Sequence, residues 1–177
     1  MMSLVNSLEN GIRTEVGSIG REGMLGLPPL AGVYTSFVEA QVQASGMALR
    51  MTVQDFNLAI DANNAFRSFL LRYNEALQAQ VMQPADCKGL EQRLARWLLM
   101  AHDRADGDKL SLTQEYMAMM LGVQRPSVAV AAGILKRADL VRYADGRITV
   151  LDHLSLEAAA CECHAAVQRR FAALLDH

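Results

Sequence analysis

The sequence has few of the residues on which disulfide-rich, membrane-spanning or metal-binding proteins depend. Three cysteines stand among 177 residues, an odd number without the spacing of a disulfide framework. No uninterrupted apolar run approaches the ~18 residues of a membrane span, and the opening stretch, MMSLVNSLEN, lacks the basic-then-apolar order of a signal peptide. These absences favour a globular protein of the cytoplasm with no membrane partner.

Catalytic and cofactor-binding patterns do not stand out either. There is no clear Ser-His-Asp, Cys-His or paired-carboxylate arrangement, and GREGMLG is not followed by the Gly-Lys-Ser/Thr of a phosphate loop. The stretch CECH contains Cys161, Cys163 and His164, but residues i and i+2 of a helix point about 200° apart. We therefore expect partly buried helix-face cysteines and no metal site, and Cys87 in a linker is a weak candidate for a thiol sensor. The sequence predicts no enzyme and no cofactor.

Charge is unevenly distributed, although the net charge is only −2. Residues 88–150 carry 10 Lys and Arg against 7 Asp and Glu, whereas residues 1–87 carry 5 against 8 and residues 151–177 carry 2 against 4. The middle of the chain is therefore a modestly basic segment between two acidic ones. Such a segment is compatible with nucleic-acid binding but does not prove it.

The first fifty residues are predicted to form short β-strands. Apolar residues alternate on both sides of Asn10-Gly11, a pair that favours a two-residue type I′ hairpin turn. The stretch REGMLGLPPLAG predicts a loop with tight turns, and FVEAQVQASGMALRM predicts two further strands around Ser45-Gly46. Three or four strands without a second sheet enclose little core, so this region looks like the second half of a larger β structure.

Two helices are predicted next, and the second is long. The stretch TVQD offers a capping box at Thr52, and Phe56, Ala59 and Ile60 form the apolar stripe of the first helix. After a break at DANN, a helix from about Ala65 to Met82 carries one apolar stripe. Its residues are Phe66, Phe69, Leu70, Tyr73, Leu77 and Val81. The stripe either packs on the chain's own β-strands or forms the seam of a homodimer, and both interpretations stay open.

The C-terminal half is predicted to be mainly helical. Pro84 marks a hinge, LEQRLARWLLMAHDR an amphipathic helix, and ADGDK a loop. Two short helices, about Thr113–Leu121 and Arg125–Ala138, precede a hairpin in which LVRYA and RITVLD flank the turn DG. The tail is predicted to be one more helix, with Ser155 as its cap.

The two short helices and the hairpin together predict a DNA-binding unit. A helix, a turn containing Gly122 and a second helix form the arrangement that places a recognition helix in a major groove. The apolar residues expected to fix the helix crossing are Ala118, Met119, Leu121, Val123, Val128 and Ile134. The hairpin fits the wing of a winged helix-turn-helix, with Arg142 and Arg147 flanking its turn where a wing meets phosphates.

The segments RLARWLLMAHDR and LSLTQEYMAMMLGVQRPSVAVAAGILKRADLVRYADGRITVLD resemble the C-terminal domain of the Crp/Fnr family of bacterial transcription regulators. Upstream, GREGMLG and EAQVQASGMALRMTVQDF resemble the end of that family's cyclic-nucleotide-binding β-roll and the helices after it. The resemblance implies an α+β fold with three parts. These are a partial β-roll over residues 1–51, a short helix and a long dimerisation helix over 52–83, and a winged helix-turn-helix with a C-terminal helix over 84–177. Roughly the first half of the family's β-roll is missing, so we expect a truncated, misassigned or degenerate member.

Some residues depart from the family's pattern. Its cyclic-nucleotide binders place a Glu in the turn after a Gly and an Arg-Ser or Arg-Thr pair downstream. Glu22 matches the first position, but GVYTSFVEA contains Ser36 and no arginine, so cyclic AMP is not expected to bind. The cysteine cluster of the iron–sulfur sensors is also missing. Arg125 matches the first residue of an Arg-Glu-x-x-x-Arg recognition pattern, whereas Pro126 and Val130 replace the other two.

The sequence therefore predicts a transcription regulator that binds double-stranded DNA as a homodimer and does not respond to cyclic AMP, with any other effector left open. The predicted DNA-contacting residues are Thr113, Gln114, Gln124, Arg125, Ser127, Lys136, Arg142 and Arg147. The predicted dimerisation residues are the six of the long helix's stripe, Phe66 to Val81. The alternative is an interaction protein that dimerises with full-length relatives and modulates them without an effector of its own.

Overall fold

The computed structural model describes residues 1–82, 89–104, 109–110, 112–144 and 147–175. The strands are β1 (Met2–Ser7), β2 (Arg13–Ile19), β3 (Glu39–Val42), β4 (Lys109–Leu110), β5 (Val141–Ala144) and β6 (Arg147–Val150). The helices are α1 (Val53–Ala62), α2 (Asn64–Met82), α3 (Leu90–His102), α4 (Gln114–Leu121), α5 (Arg125–Arg137), α6 (His153–Ala159) and α7 (Cys163–Leu175). Two antiparallel sheets, ordered β2-β1-β3 and β4-β6-β5, give the predicted α+β architecture.

The first two strands form the predicted hairpin, but its turn is longer than predicted. Ser7 pairs with Arg13, so residues 8–12 form the loop, and the Leu8 N–H donates to the Ile12 carbonyl at 2.9 Å. A type I′ turn needs positive φ at both central residues, and only Gly11, at 81°, has it. The side chain of Asn10 instead accepts the Ile12 N–H at 3.1 Å, so the prediction of a two-residue turn was wrong.

One strand forms where two were predicted around Ser45-Gly46. β3 pairs antiparallel with β1, with Met2 opposite Val42. Residues 43–52 contain no strand, and the side chains of Met47 and Leu49 are fully exposed. From Ser45 onward the alternating pattern has no strand beside it among the described residues, and residues 45–52 are all exposed. The second strand was therefore a wrong prediction.

The boundaries of α1 and α2 agree with the predicted ones. The hydroxyl of Thr52 accepts the Asp55 N–H at 3.1 Å and caps α1, as the capping box predicted, and Phe56 and Ile60 are buried. Asn63 ends α1, and its side-chain oxygen accepts the Phe66 N–H at 3.0 Å in the first turn of α2. The break predicted at DANN is thus confirmed.

A shared core joins the N-terminal sheet to the C-terminal helices. Val5 of β1 belongs to the same buried cluster as Leu94 and Leu98 of α3 and Ile148 of β6. A smaller cluster lies against α2 and consists of Leu27, Phe56, Ile60, Leu70 and Tyr73. The amphipathic helix predicted from LEQRLARWLLMAHDR is confirmed as α3, which is buried along most of its length and forms the centre of the larger cluster.

The tail forms two helices where one was predicted. The carboxylate of Asp152 accepts the Ser155 N–H at 3.0 Å, so Asp152 caps α6 and the prediction of Ser155 as the cap was wrong. The chain then breaks between Ala159 and Cys163. Because the 200° separation of a continuous helix does not apply across this break, Cys161 and Cys163 form a disulfide, with Cα atoms 5.2 Å apart. The prediction of separate cysteines on one helix face was therefore wrong.

Some predictions fall outside the described residues, namely the hinge at Pro84, the linker cysteine Cys87 and the turn Asp145-Gly146. Most of the predicted loop ADGDK lies outside them too, although Lys109 is the first residue of β4. Within the described residues, no single helix is long and apolar enough to cross a membrane. Only α4 and α5 taken together reach that length and composition, and they are bent by 104° relative to each other.

Candidate nucleic-acid interface

The two helices α4 and α5 are held at 104° to each other by contacts at the turn between them. Thr113 caps α4, its hydroxyl accepting the Tyr116 N–H at 3.1 Å. Gly122 ends α4 in the left-handed region, with φ 63°, and its N–H faces the carbonyls of Ala118 and Met119. From α3, the guanidinium of Arg93 donates to the Leu121 carbonyl at 2.5 Å. These contacts satisfy the last carbonyls of α4.

Most of the residues predicted to fix the crossing lie in the core. Ala118, Leu121 and Val128 are buried, while Met119 and Val123 pack against the same cluster from its edge. Ile134 is the exception, because its side chain is 38% exposed. In this turn of the helix Arg125–Arg137 the neighbouring Leu135 faces the core instead. The prediction of Ile134 as a crossing residue was therefore wrong.

The outward face of α5 follows from its buried face. Val128, Ala131, Ala132 and Leu135 are buried, and the opposite side of a 3.6-residue helix then runs through the positions i, i+4, i+7 and i+11 from Pro126. The residues at these positions are Pro126, Val130, Gly133 and Arg137. Val130 is 65% exposed, and Gly133 has no side chain. The side chains on this face are therefore short, and the helix backbone can approach another surface closely.

Four of the predicted DNA-contacting residues line the edges of this face. Gln124, Arg125, Ser127 and Lys136 are all exposed. Gln124 is the N-cap residue of α5, and its side chain makes no capping hydrogen bond. Its amide is therefore free of the structural role that the N-cap position often imposes.

The other two predicted residues of the helical pair are partly engaged in structure. The Thr113 hydroxyl caps α4, and the half-buried Gln114 accepts a hydrogen bond from Nε of Arg125 at 3.4 Å. Arg125 also forms an ion pair with Glu115, with Nη1 and Oε1 2.8 Å apart. Both side chains of this pair are about 60% exposed, and an exposed ion pair contributes about 1 kcal/mol or less. The pair therefore positions Arg125 without locking it.

The predicted wing is formed by β5 and β6. Arg142 pairs with Thr149 and Ala144 with Arg147 across an antiparallel ladder. Ile148 and Val150 are buried in the core, whereas Arg142 and Arg147 are exposed. The structure thus places the two wing arginines on one hairpin whose buried face anchors it to α3 and α5.

Two outward residues, Val130 and Arg137, were not among the predicted contacts. Val130 lies at the middle of the exposed face of α5 and Arg137 at its last turn. The signal that identifies them is the helical period, because both lie opposite the buried Val128, Ala131 and Leu135. An apolar side chain in this position is suited to contact with a thymine methyl group, and the guanidinium to contact with phosphate.

The hairpin of the first sheet packs beside the turn of the helical pair. A Cβ atom at Gly122 would lie 3.2 Å from Oγ1 of Thr14. Ile12 and Arg13 line a shallow cavity together with Val123 and Gln124. The N-terminal sheet is therefore a direct support of the turn that separates α4 from α5.

A polar network lies at this contact between sheet and helices. The carboxylate of Glu15 accepts hydrogen bonds from the hydroxyl of Ser3, from Nε2 of Gln43 at 3.0 Å and from Nε1 of Trp97 at 3.1 Å. Burial raises the pKa of Glu15 from 4.5 to about 7, against the opposing influence of these hydrogen bonds and of nearby arginines. The network therefore joins β1, β2 and α3 through a carboxyl group that titrates near neutral pH.

The predicted dimerisation residues lie on two sides of α2. Leu70 and Tyr73 are buried within the chain, and Phe66 and Leu77 pack against the same cluster. Phe69 and Val81 remain 38% and 40% exposed. The stripe is thus mostly used inside the chain, and its remaining members do not by themselves form a continuous seam.

Glu22, which matches a ligand-binding position in the family resemblance, is occupied by protein contacts. Its Oε1 accepts from Nε of Arg104 at 2.7 Å and from the Gly20 N–H at 3.2 Å. The segment of residues 32–40 is mostly exposed, including the ring of Phe37. Glu22 lines a cavity of about 510 Å³ together with Arg21, Arg96 and Arg104, and no residue of the segment 32–40 contributes to its lining.

Part of this chain is similar in sequence to a known domain family. Residues 92–159 match the Crp-like helix-turn-helix domain family. No curated protein matches the chain in sequence.

Solved structures match over most of the chain. A Crp/Fnr family protein from Eubacterium rectale aligns with a TM-score of 0.70 at 17% identity, over 89% of this chain and 76% of its own. A CRP family regulator from Thermus thermophilus aligns with a TM-score of 0.55 at 23% identity, over 90% and 83%. A CooA mutant from Carboxydothermus hydrogenoformans aligns with a TM-score of 0.61 at 16% identity, over 89% and 74%.

Proposed function

We propose that this chain, which carries a Crp-like helix-turn-helix domain and has the fold of Crp/Fnr family transcription regulators, controls transcription by binding specific DNA sites as a homodimer. The function needs no catalytic step. The cytoplasm, where bacterial DNA lies, is the compartment that it requires. Cyclic AMP is not its effector in this proposal.

The observation that carries the proposal is the outward face of α5 beside an arginine-bearing hairpin. A recognition helix must present a face without bulky obstruction, and the small residues Pro126 and Gly133 meet that need. The cations Arg125 and Arg137 lie at the two ends of α5. The wing adds Arg142 and Arg147, so cations surround the face that approaches the groove.

The proposed contacts divide into base reading and phosphate binding. Arg125 at the N-terminal end of α5 is long enough to form two hydrogen bonds with a guanine once it leaves Glu115. Val130 replaces the second arginine of the best-known recognition pattern, so we expect an apolar contact with a thymine methyl group at that level. Arg142 and Arg147 are expected to bind phosphates, which sets orientation and affinity but not sequence.

The dimer is proposed to form along the side of α2 that the chain leaves exposed. Arg67, Leu71, Asn74, Gln78 and Val81 recur there at alternating steps of four and three residues, the spacing of a two-helix seam. Leu71 is 53% exposed and Val81 40% exposed. A two-fold dimer of this kind presents two recognition helices to successive major grooves ~34 Å apart.

The DNA-binding test begins with selection of duplexes from a random pool by the purified protein. On the selected site, Arg125→Ala is expected to cost ~1–3 kcal/mol and to relax preference at one base pair. Arg147→Ala is expected to weaken binding to selected and scrambled duplexes equally and to reduce the salt slope by roughly 0.9. Arg50→Ala, which removes an exposed arginine of the N-terminal region, is the matched control and should change neither.

Two outcomes would contradict the proposal. If the pool yields no enriched site, sequence-specific binding is wrong for this chain. Equal losses for Arg125→Ala on selected and scrambled duplexes would make Arg125 a phosphate contact.

The dimer is tested separately by light scattering of the native protein. Leu71→Glu combined with Val81→Glu is expected to give a folded monomer, because both side chains are partly exposed to solvent. Leu58→Glu, at another exposed leucine on the neighbouring helix α1, should leave the dimer intact. A dimer of undiminished mass in the double variant would exclude this side of α2.

A further inference from the structure

Three of the chain's four histidines come together around one aspartate. His102 is the last residue of α3, and Asp103 follows it as the C-cap. His153 is the first residue of α6, and His164 is the second residue of α7. Three separate helices therefore contribute side chains to one place, on the side of the C-terminal domain where α6 and α7 meet the end of α3.

The spacing of these groups matches the coordination shell of a metal ion. Ligand atoms of His102, Asp103 and His153 all lie within 4.8 Å of one another. Nε2 of His153 is 2.8 Å from Oδ1 of Asp103, and the rings of His102 and His153 have centroids 5.4 Å apart. Ligand atoms on a tetrahedral zinc ion with bonds of ~2.0–2.1 Å are about 3.3 Å apart. The 2.8 Å separation and the 4.8 Å upper limit among these ligand atoms lie on either side of that value.

His164 provides an independent indication of a ligand. Its side chain is 5% exposed, and neither ring nitrogen has a hydrogen-bond partner among the residues that the structure describes. Buried polar groups are nearly always paired, and an unpaired one costs about 1–3 kcal/mol. Nε2 of His164 instead faces Oδ2 of Asp103 at 3.7 Å, which is too long for a hydrogen bond. It is slightly longer than the ~3.3 Å between two ligands of a tetrahedral zinc ion, so a small movement of the His164 ring would bring both atoms onto one ion.

The second nitrogen of His164 has the neighbour that metal-bound histidines usually have. Nδ1 of His164 is 3.7 Å from Oε1 of Glu157, a half-exposed carboxylate on α6. Histidine ligands generally donate their other N–H to a carboxylate or a carbonyl, which fixes the ring and its tautomer. A small movement of the Glu157 side chain would make this hydrogen bond.

We propose that His102, Asp103, His153 and His164 bind one divalent transition-metal ion, for which zinc is the best match. Three imidazoles and one carboxylate suit a borderline-soft ion better than magnesium or calcium, which prefer oxygen ligands. Cys161 and Cys163 are close in sequence but are joined in a disulfide, so thiolates are not part of the set. The sequence predicted no metal site, because two helices and three strands separate His102 and Asp103 from His153 and His164 along the chain.

The proposed ion has an access route and a structural consequence. Asp103 and His164 line a cavity of about 510 Å³ between the N-terminal region, α3 and α7. The helix that carries His164 also packs on α2, where Phe171 meets Tyr73 edge to face and Arg170 pairs with Glu75 at 2.9 Å. Bound metal would therefore tie the end of α3 to α7, and through α7 to the long helix.

The test uses the untagged full chain, freed of metal by a chelator and kept without thiol reductants. Zinc is titrated by calorimetry, and Co²⁺ by the visible absorption that a tetrahedral site gives it. We expect one ion per chain and a thermal midpoint that rises with zinc. His102→Ala, His153→Ala and Asp103→Asn should each weaken binding at least about tenfold.

Two control variants identify the ligands. Asp61→Asn removes an exposed carboxylate on α1, and the double variant Cys161→Ser/Cys163→Ser removes both neighbouring sulfurs. Both should bind zinc as the unchanged chain does. Circular dichroism monitors folding, and Asp103→Asn, which keeps size and shape, decides the result if a histidine variant unfolds.

Three results would overturn the proposal. They are no zinc binding at stoichiometric concentration, unchanged binding in the three site variants, and loss of binding in the double cysteine variant alone. None of these measurements involves DNA, so their outcome does not depend on whether the proposed function is correct.

Discussion

Nη1 of Arg125 lies 2.8 Å from Oε1 of Glu115, so the first residue of α5 is paired with the first turn of α4. Both side chains of the pair are exposed to solvent, which keeps the contribution of the pair to stability small. A guanine or phosphate that binds Arg125 must first displace this carboxylate. In the proposed function, Glu115 would therefore compete with DNA for Arg125.

The first prediction follows from that competition. Glu115→Gln should strengthen binding to the selected duplex by up to about fivefold, which corresponds to the ~1 kcal/mol ceiling of an exposed pair. Binding curves of the single variants and of Glu115→Gln/Arg125→Ala form a double-mutant cycle. The gain should disappear when Arg125 is absent. An equal gain in both backgrounds would mean that Glu115 acts only by its charge near phosphates.

The second prediction concerns the buried carboxyl group of Glu15 on β2. Its pKa is about 7 in the folded chain, above its ordinary value of 4.5, so the folded state binds more protons than the unfolded state between these pH values. The stabilisation is complete below about pH 4.5 and is lost as pH rises toward 7. Between pH 5 and pH 8, the free energy of unfolding should therefore fall less for Glu15→Gln than for the unchanged chain.

The single tryptophan of the chain reports on the same carboxyl. Nε1 of Trp97 donates to Oε1 of Glu15 at 3.1 Å, so its fluorescence should change with a midpoint near pH 7. Glu15→Gln should abolish that change. A transition that persists in the variant would assign it to another group.

The third prediction contrasts two glycines. Gly122 has φ 63°, and a Cβ there would also lie 3.2 Å from Thr14, so Gly122→Ala should destabilise the chain by at least ~1–2 kcal/mol. Gly133 lies inside α5, where a Cβ would meet only Arg137 at 3.5 Å, and Gly133→Ala should stabilise by ~0.5–1 kcal/mol. Urea unfolding of both variants measures the difference. Similar effects would show that backbone conformation does not control this turn.

The fourth prediction is that cyclic AMP does not bind appreciably. The segment of residues 32–40 offers no arginine, and Glu22 is held by Arg104 at 2.7 Å. An anionic phosphate without a cation would lose its hydration uncompensated. Calorimetry with cyclic AMP and cyclic GMP at saturating concentration should give no heat of binding. Micromolar binding of either nucleotide would disprove this interpretation of the segment.

Features that depend on neighbouring residues alone were predictable from the sequence. The cap at Thr52, the glycine at the end of α4, the bounds of α4 and α5 and the wing hairpin all agree with the prediction. Each is determined by hydrogen bonds or backbone preferences within a few residues of the chain. The family resemblance rests on this same region, where local signals are dense.

Features that depend on what packs against an element were decided by tertiary structure. The period of α2 revealed an apolar stripe, but only packing showed that Leu70 and Tyr73 are covered by the chain itself. The alternation after Ser45 resembled a strand, and no neighbouring strand paired with it.

The tail and the histidine cluster show the same limit most clearly. The chain breaks between α6 and α7, so Cys161 and Cys163 are not held about 200° apart as they would be on one continuous helix. They form a disulfide instead. His102, His153 and His164 are far apart in sequence, and their meeting at Asp103 follows only from the way α3, α6 and α7 pack. Periodicity determines which side of a helix is apolar, whereas long-range packing determines what that side and its polar neighbours meet.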